Sequence, residues 1–281
     1  MFAKCQGPRI FGLPPGVNFS RSFVDGLKSR LTDYPPEKNT TIKIYVNSNR
    51  MLQKIKSEFT SVGASILPNL STLNHLIDDF EVSLSDIVDP LSLRLELAQI
   101  ISKFIEIEPS FGSQNSCFDL ADSLANLIKE IHEEGLSLEV LTKLNLDDYS
   151  EYWQRNRKFF ILIKEYLDDR KIVSLEQNQW RLIDGLEKKW VDNPPTHPIM
   201  VVGSTGSKGI TQKLIKLIST LPQGAVVLPG VDFETPKFVW DALGKSKKTE
   251  IPLEDHPQYR LKELTSKLNI KLSEIERWVE T

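Results

Sequence analysis

The chain has 281 residues, 40% of them hydrophobic and 26% charged, with a formal net charge of −3. These are the proportions of an ordinary globular protein with ample chain for a core, and they exclude a disordered tail, a collagen-like repeat and a small disulfide scaffold. Two cysteines, Cys5 and Cys117, cannot by themselves build a zinc ribbon, an iron–sulfur cluster or a disulfide framework, and they point to free thiols in a reducing, cytoplasmic setting.

Three stretches follow one another along the chain. In residues 1–90, Arg9 to Leu13 is a short apolar run ending at Pro14-Pro15-Gly16, which predicts a strand entering a turn. Asn18 or Ser20 caps a helix bearing Phe19, Phe23, Val24, Leu27 and Leu31, and Tyr34-Pro35-Pro36 stops it. Thr41 to Val46 is β-branched and aromatic, hence a strand. Ser48 caps a second helix carrying Met51, Leu52, Ile55 and Phe59, with Gly63 past its end. Ser65 to Leu67, closed by Pro68, is a candidate third strand. This β-α-β-α-β order implies a parallel sheet with right-handed crossovers.

Residues 91–192 have helical spacing throughout: Leu91 to Ile107, Phe118 to His132 after a Ser116 cap, Ser137 to Leu146, Tyr149 to Leu167, and Ser174 to Trp190. From 193 to 255 the β-α pattern resumes. Pro198 to Val202 reads as a buried strand followed by Gly203-Ser204-Thr205-Gly206-Ser207, then a helix with Ile210, Leu214 and Ile218, then the strand Ala225 to Leu228. Residues 256–281 read as a charged helical tail, Leu261 to Val279, with no further strand. The expected architecture is one α/β domain split by an all-helical insertion. Charge follows the same division: 10 basic and 9 acidic residues in 1–90, 13 and 19 in 91–192, and 12 and 10 in the remainder. The acidic helical part is a poor surface for gripping phosphates and suits packing or partner docking.

A strand, a glycine-rich loop and a helix make an anion site when backbone N–H groups point outward from the helix start. Two stretches have that position. Gly12 to Phe19 lacks the Lys and hydroxyl of a G-x-x-x-x-G-K-[ST] loop, and Pro14 and Pro15 remove amide donors. Gly203 to Ser207 has the shape, but no acid stands at the strand end, and Lys208 follows a serine. Its bland reading is a tight turn and helix cap. Its functional reading is a phosphate or DNA-backbone contact by Gly203, Ser204, Thr205, Gly206, Ser207 and Lys208. Gly244 to Lys248 reads as an exposed basic loop. His75, His132, His197 and His256 have no metal-ligand spacing, and no G-x-S-x-G elbow occurs. The aromatics from Tyr152 to Phe160 have the chemistry to stack bases, but at helical spacing they read first as core. The residues thus describe an α/β fold of nucleotide-hydrolase type with its catalytic positions empty and no cofactor implied.

Several segments in order resemble the N-terminal region of AddB subunits in their alphaproteobacterial form. They are Gly7-Pro8-Arg9-Ile10-Phe11 through Gly16, Asp25-Gly26-Leu27, Leu120 to Leu124 through Leu136, Tyr152-Trp153, Val201 to Ser207, Leu221 to Gly230, and His256-Pro257-Gln258-Tyr259. The resemblance implies an inactivated superfamily-one helicase module within a helicase–nuclease that processes DNA double-strand breaks. It implies a degenerate RecA-like parallel sheet of P-loop type with a helical insertion. Pro14, Pro15, Gly16, Val17, Asn18 and Phe19 then stand where a working motor carries its phosphate loop, and Gly203 to Ser207 near the place of the magnesium-binding acids. The partners it implies are an AddA-like helicase–nuclease subunit and DNA, with no membrane. The nuclease domain and iron–sulfur cysteines of such subunits have no counterpart here, and a longer subunit continuing beyond Thr281 is expected. Two rivals stay open: an active nucleotide-binding enzyme using Gly203 to Ser207, and a pure protein-docking module.

Overall fold

The computed structural model describes residues 1–2, 7–61, 66–76, 87–143, 151–244 and 253–280. Strand β1 (Ile10–Gly12) leads into helix α1 (Phe19–Arg30), then β2 (Lys43–Val46), α2 (Asn49–Thr60) and β3 (Asn69–Thr72). Helices α3 (Pro90–Ile107), α4 (Cys117–Glu133), α5 (Glu139–Lys143), α6 (Glu151–Asp169) and α7 (Leu175–Asp192) follow. The chain then returns to β4 (Ile199–Val202), α8 (Gly209–Ser219), β5 (Gly224–Leu228), α9 (Lys237–Leu243), α10 (Tyr259–Leu268) and β6 (Glu276–Arg277). Two compact units result: Met1–Glu81 with Ile183–Thr281, and Val82–Leu182.

The first unit is an α/β domain of RecA-like type. Its six strands run in the order β3-β2-β4-β5-β1-β6, and every pairing is parallel. Sheets of this kind are covered on both faces, so their strands are apolar without alternation. β4 and β5 show this, with every residue buried. On one face, Phe23, Val24 and Leu27 of α1 and Leu52, Ile55 and Phe59 of α2 pack on Phe11, Ile44, Val46, Met200, Val202, Ala225 and Val227. The period of two along each strand turns Ile199, Val201 and Val226 to the other face, where α8 lies on β4 and β5. There a side chain on Gly224 would overlap the Ile218 carbonyl, so this approach of strand and helix requires glycine.

Caps set the helix starts. The Asn18 side chain accepts the Arg21 N–H at 3.3 Å and the Ser48 hydroxyl accepts the Met51 N–H at 3.3 Å. Of the two expected caps for α1, Asn18 is therefore the one used.

In the second unit, Leu93, Leu97, Ile101 and Ile105 of α3 meet Ala121, Leu124, Ile128 and Ile131 of α4, with Phe159, Ile163 and Leu167 of α6 joining the same core. Phe159 lies 5.2 Å from Phe104 and 4.8 Å from Phe111 between ring centroids, and is 4% exposed. That part of the expected aromatic cluster is core; the side chains of Tyr152 and Trp153 lie outside the described residues. Gly135 ends α4 at φ +71°, and the Leu136 N–H donates to the Ile131 carbonyl at 3.0 Å. A Cβ on Gly135 would stand 2.7 Å from the Trp180 ring, whose indole N–H donates to the His132 carbonyl at 2.9 Å. Cys117 is buried and free, while Cys5 lies outside the described residues.

Two expectations need correction, and a third is described only in part. The third strand is Asn69–Thr72 rather than Ser65 to Leu67: Pro68 precedes it instead of closing it, as suits a residue that cannot donate to the ladder. The tail expected to be helical to Val279 is helical only as far as Leu268, where Asn269 adopts the left-handed conformation at φ 56°. It then supplies the sixth strand, β6, which pairs with β1 through Phe11 opposite Glu276. The expected helix Ser137 to Leu146 is described as Glu139–Lys143, and its end, like Gly63 and Tyr149, lies outside the described residues.

Candidate functional site

The two glycine-bearing loops leave the carboxyl ends of β1 and β4, the edge at which open parallel sheets take their ligands. The first is tied down at its start. The Leu13 N–H donates to the Leu228 carbonyl at 3.0 Å, and the Leu13 carbonyl accepts from Val231 N–H at 2.9 Å. Pro14 and Pro15 have no N–H to offer. Gly16 turns at φ +85° and is exposed. Val17 is half-buried, and the exposed Asn18 caps α1 with its own side chain. The start of α1 is thus a self-capped helix end whose third amide is already taken.

The second loop is also closed on itself. The Gly203 N–H donates to the Val227 carbonyl at 3.0 Å, with Gly203 at φ +75°. Ser204 is 7% exposed, and its hydroxyl accepts the Gly206 N–H at 3.2 Å. The Gly206 carbonyl accepts from Gln212 Nε2 at 2.7 Å, and Gln212 Oε1 accepts from Lys267 Nζ at 2.7 Å. Thr205 is half-buried, while Ser207 and Lys208 are exposed. The Lys208 carbonyl accepts from the Gln212 N–H at 3.0 Å, opening α8. Two of the amides that a phosphate would use therefore already donate within the protein.

The fold brings the loops together at one point. Phe19, the first residue of α1, lies against Gly203: its ring atoms stand 3.3 and 3.6 Å from where a Cβ would be, and the Met51 methyl 3.5 Å away. A benzyl ring at the start of α1, after β1, thus closes on the end of β4, one strand removed from β1 in the sheet. Neither loop contains a carboxylate or a histidine. Among the described residues, no group of three or more His, Cys, Asp or Glu side chains is placed to hold a metal ion. Of the expected basic loop, Gly244 is exposed after α9, and Lys245 to Lys248 lie outside the described residues.

Motifs that carry no chemistry in the sequence fix the two ends of β5, the strand between the loops. Arg9 is buried, and its guanidinium donates to the Gly224 carbonyl at 2.6 Å and to the Pro222 carbonyl at 3.4 Å, while lying 5.1 Å from the Phe2 ring centroid. It pins the turn before β5. Gln258 of the His256-Pro257-Gln258-Tyr259 segment is 5% exposed. Its Nε2 donates to the Gly230 carbonyl at 2.9 Å and its Oε1 accepts the Asp232 N–H at 3.1 Å, clamping the loop after β5. The nearby His256 Nδ1 accepts the Gln258 N–H at 3.1 Å. Gln258 stands far along the chain from Gly230, so no local pattern names the partner of this clamp.

Trp278 is the residue whose role sequence spacing misses most completely. It is 1% exposed, its indole N–H donates to the Phe23 carbonyl at 3.0 Å, and its backbone N–H donates to the Gly12 carbonyl at 3.0 Å. The Arg30 guanidinium lies 3.9 Å from its ring centroid and donates to its carbonyl at 2.9 Å. No helix of the described residues is long and apolar enough to cross a membrane. No protein-family model matches the chain, and no curated protein is significantly similar to it.

Proposed function

We propose that the chain is a noncatalytic, helicase-like module of an AddB-type subunit acting in the cytoplasm in DNA double-strand break repair and recombination. In this reading it scaffolds an AddA-like helicase–nuclease subunit and guides DNA. The observation that carries it is the ring of Phe19 against Gly203. Strand β5 separates β1 from β4 in the sheet. In RecA-like motors with that order, the phosphate loop follows the first strand and the magnesium-binding acids follow the strand in the place of β4. Here the first position holds two prolines and a phenylalanine and the second holds Gly203 to Ser207. The first loop lacks a lysine for the outer phosphates and a hydroxyl for magnesium, and the second lacks the acids. What remains of the motor is its rigid sheet, which suits a scaffold.

The test is association. The intact chain is mixed with the AddA-type subunit of the same source and followed by sedimentation velocity, with and without single-stranded DNA. A stoichiometric complex supports the reading, and its absence overturns it. If the complex forms but DNA binding shows no dependence on salt, the role reduces to protein docking.

A further inference from the structure

Beside β6 the first unit has a concave site, whose Phe233 and Arg277 border Gly12 at the start of the first loop. A pocket of about 530 Å³ is floored by Trp240 and Ile275 with Phe233, Ile270 and Leu272, and rimmed by Lys237, Lys262, Lys271 and Arg277. Asp241 is the carboxylate in its wall. The size is that of a small-ligand site. Its cations are held in an unusual way. Lys262 Nζ lies 5.7 Å from the Trp240 ring centroid, and its stem runs over Gly244, where a Cβ would come within 2.8 Å of it. The Arg277 guanidinium lies 4.4 Å from the Phe233 ring centroid. Glu234, which is 87% exposed, pairs with Arg277 at 3.2 Å. Among the described residues, Lys237, Lys262 and Lys271 make no ion pair with a carboxylate. Two of the four cations are thus ordered by aromatic faces, and the lining carries four cations against one carboxylate, Asp241, with Glu234 on Arg277 and Glu274 at the Lys271 N–H beside it.

We propose that this pocket binds a nucleotide unit: a planar base over the apolar floor and the Arg277 guanidinium plane, with its phosphate on Lys237 and Lys271. A planar ring joined to a phosphate matches an apolar and aromatic lining set beside cations better than an acidic peptide does, whose carboxylates come on separate side chains. The source is either a free nucleotide or one residue of a single strand, because both offer the same base and phosphate. The inference does not depend on the state of the loops after β1 and β4, since no residue of the pocket belongs to them.

The test uses the full chain in EDTA, so that no magnesium-dependent site contributes. Binding of a fluorescent twelve-residue oligothymidylate is followed by anisotropy, and binding of thymidine monophosphate by calorimetry. The variant is Lys237→Glu with Lys271→Glu. Both side chains are exposed, and a carboxylate at the start of α9 favours the helix, so the fold is retained and checked by thermal unfolding. Arg277→Gln is the second variant. The double variant is expected to weaken oligonucleotide binding by at least about tenfold. It should also lower the magnitude of the log–log salt slope by about 0.7, because the phosphate shared by the two lysines is no longer neutralised. Binding of the oligonucleotide alone identifies a strand subsite, and binding of both ligands a nucleotide site proper. Binding of neither, binding unchanged in both variants, or equal binding of polyglutamate overturns the proposal.

Discussion

Replacing Gly26 with alanine should destabilise the first unit, although Gly→Ala in a helix interior ordinarily stabilises by about 1 kcal/mol. Gly26 lies within α1, and its new Cβ would stand 2.7 Å from Trp278 Cδ1, closer still to Nε1, and 2.8 Å from Val279 Cγ1. Those atoms cannot retreat easily. The Trp278 ring is stacked on Phe23 at 5.7 Å and meets Phe11 edge-on at 5.0 Å, with Arg30 on its face. Overpacking of such a site costs roughly 1–3 kcal/mol. Trp278→Ala removes the obstacle and costs more itself, about 3–5 kcal/mol for the emptied site, with a further ~1 kcal/mol for the hydrogen bond to the Phe23 carbonyl. For a unit of this size that is a fall in Tm of roughly 8–24 °C. The double variant closes a thermodynamic cycle. In the Trp278→Ala background, Gly26→Ala should become neutral or stabilising, giving a coupling of about 1–3 kcal/mol. The assay is urea unfolding followed by far-ultraviolet circular dichroism. If Gly26→Ala stabilises the wild-type chain, or if the two changes add without coupling, the packing of the last strand against α1 is wrong.

Other outcomes rest on the same geometry. Arg9→Met should lower stability by about 3 kcal/mol, because the β5 turn loses the charged donor to its buried carbonyls, and Arg9→Lys should rescue only part of this in the same urea series. Gln258→Ala should leave the Tm within about 5 °C of wild type yet speed amide exchange at Asp232, whose N–H loses its acceptor. In the second unit, burial holds the His132 pKa below the ordinary histidine value, with Glu176 acting weakly the other way. His132 therefore binds its proton less readily folded than unfolded. Its contribution to stability is complete above about pH 6.5 and is lost as pH falls through the lower folded value. His132→Gln should flatten the fall in Tm between pH 7.5 and 5.5. A slope unchanged in that variant would remove His132 from the account.

Much of this fold is visible in the letters, for definite reasons. β2, β4 and β5 are continuous apolar runs because both sheet faces are covered, and α1 and α2 carry one apolar stripe each because only one side of each meets the sheet. The two edge strands lack that signal. β3 has Asn69 exposed and Leu70 and Ser71 half-buried, so little burial acts on it to write a pattern. β6 is two charged residues, Glu276 and Arg277, and it exists because the next residue, Trp278, is anchored in the core. No local window contains both Trp278 and Gly26. The candidate site is half legible. The absence of a working phosphate loop is a matter of spacing and can be read directly, and so can the prolines. That Phe19 lies on Gly203 depends on the crossover that sets β1 and β4 on either side of β5. The helical period of Phe19 says only that it faces inward.

We propose that the loops after β1 and β4 form a dead nucleotide site, and titration with magnesium and ATP tests this most directly. Equilibrium binding and phosphate release are measured on the wild-type chain and on Phe19→Ala, in which the ring over Gly203 is gone. No magnesium-dependent binding in the micromolar range and no turnover are expected for either protein, because the first loop has no lysine or hydroxyl and the second no acid, whether or not the ring is present. Micromolar, magnesium-dependent binding with turnover by the wild-type chain would contradict it.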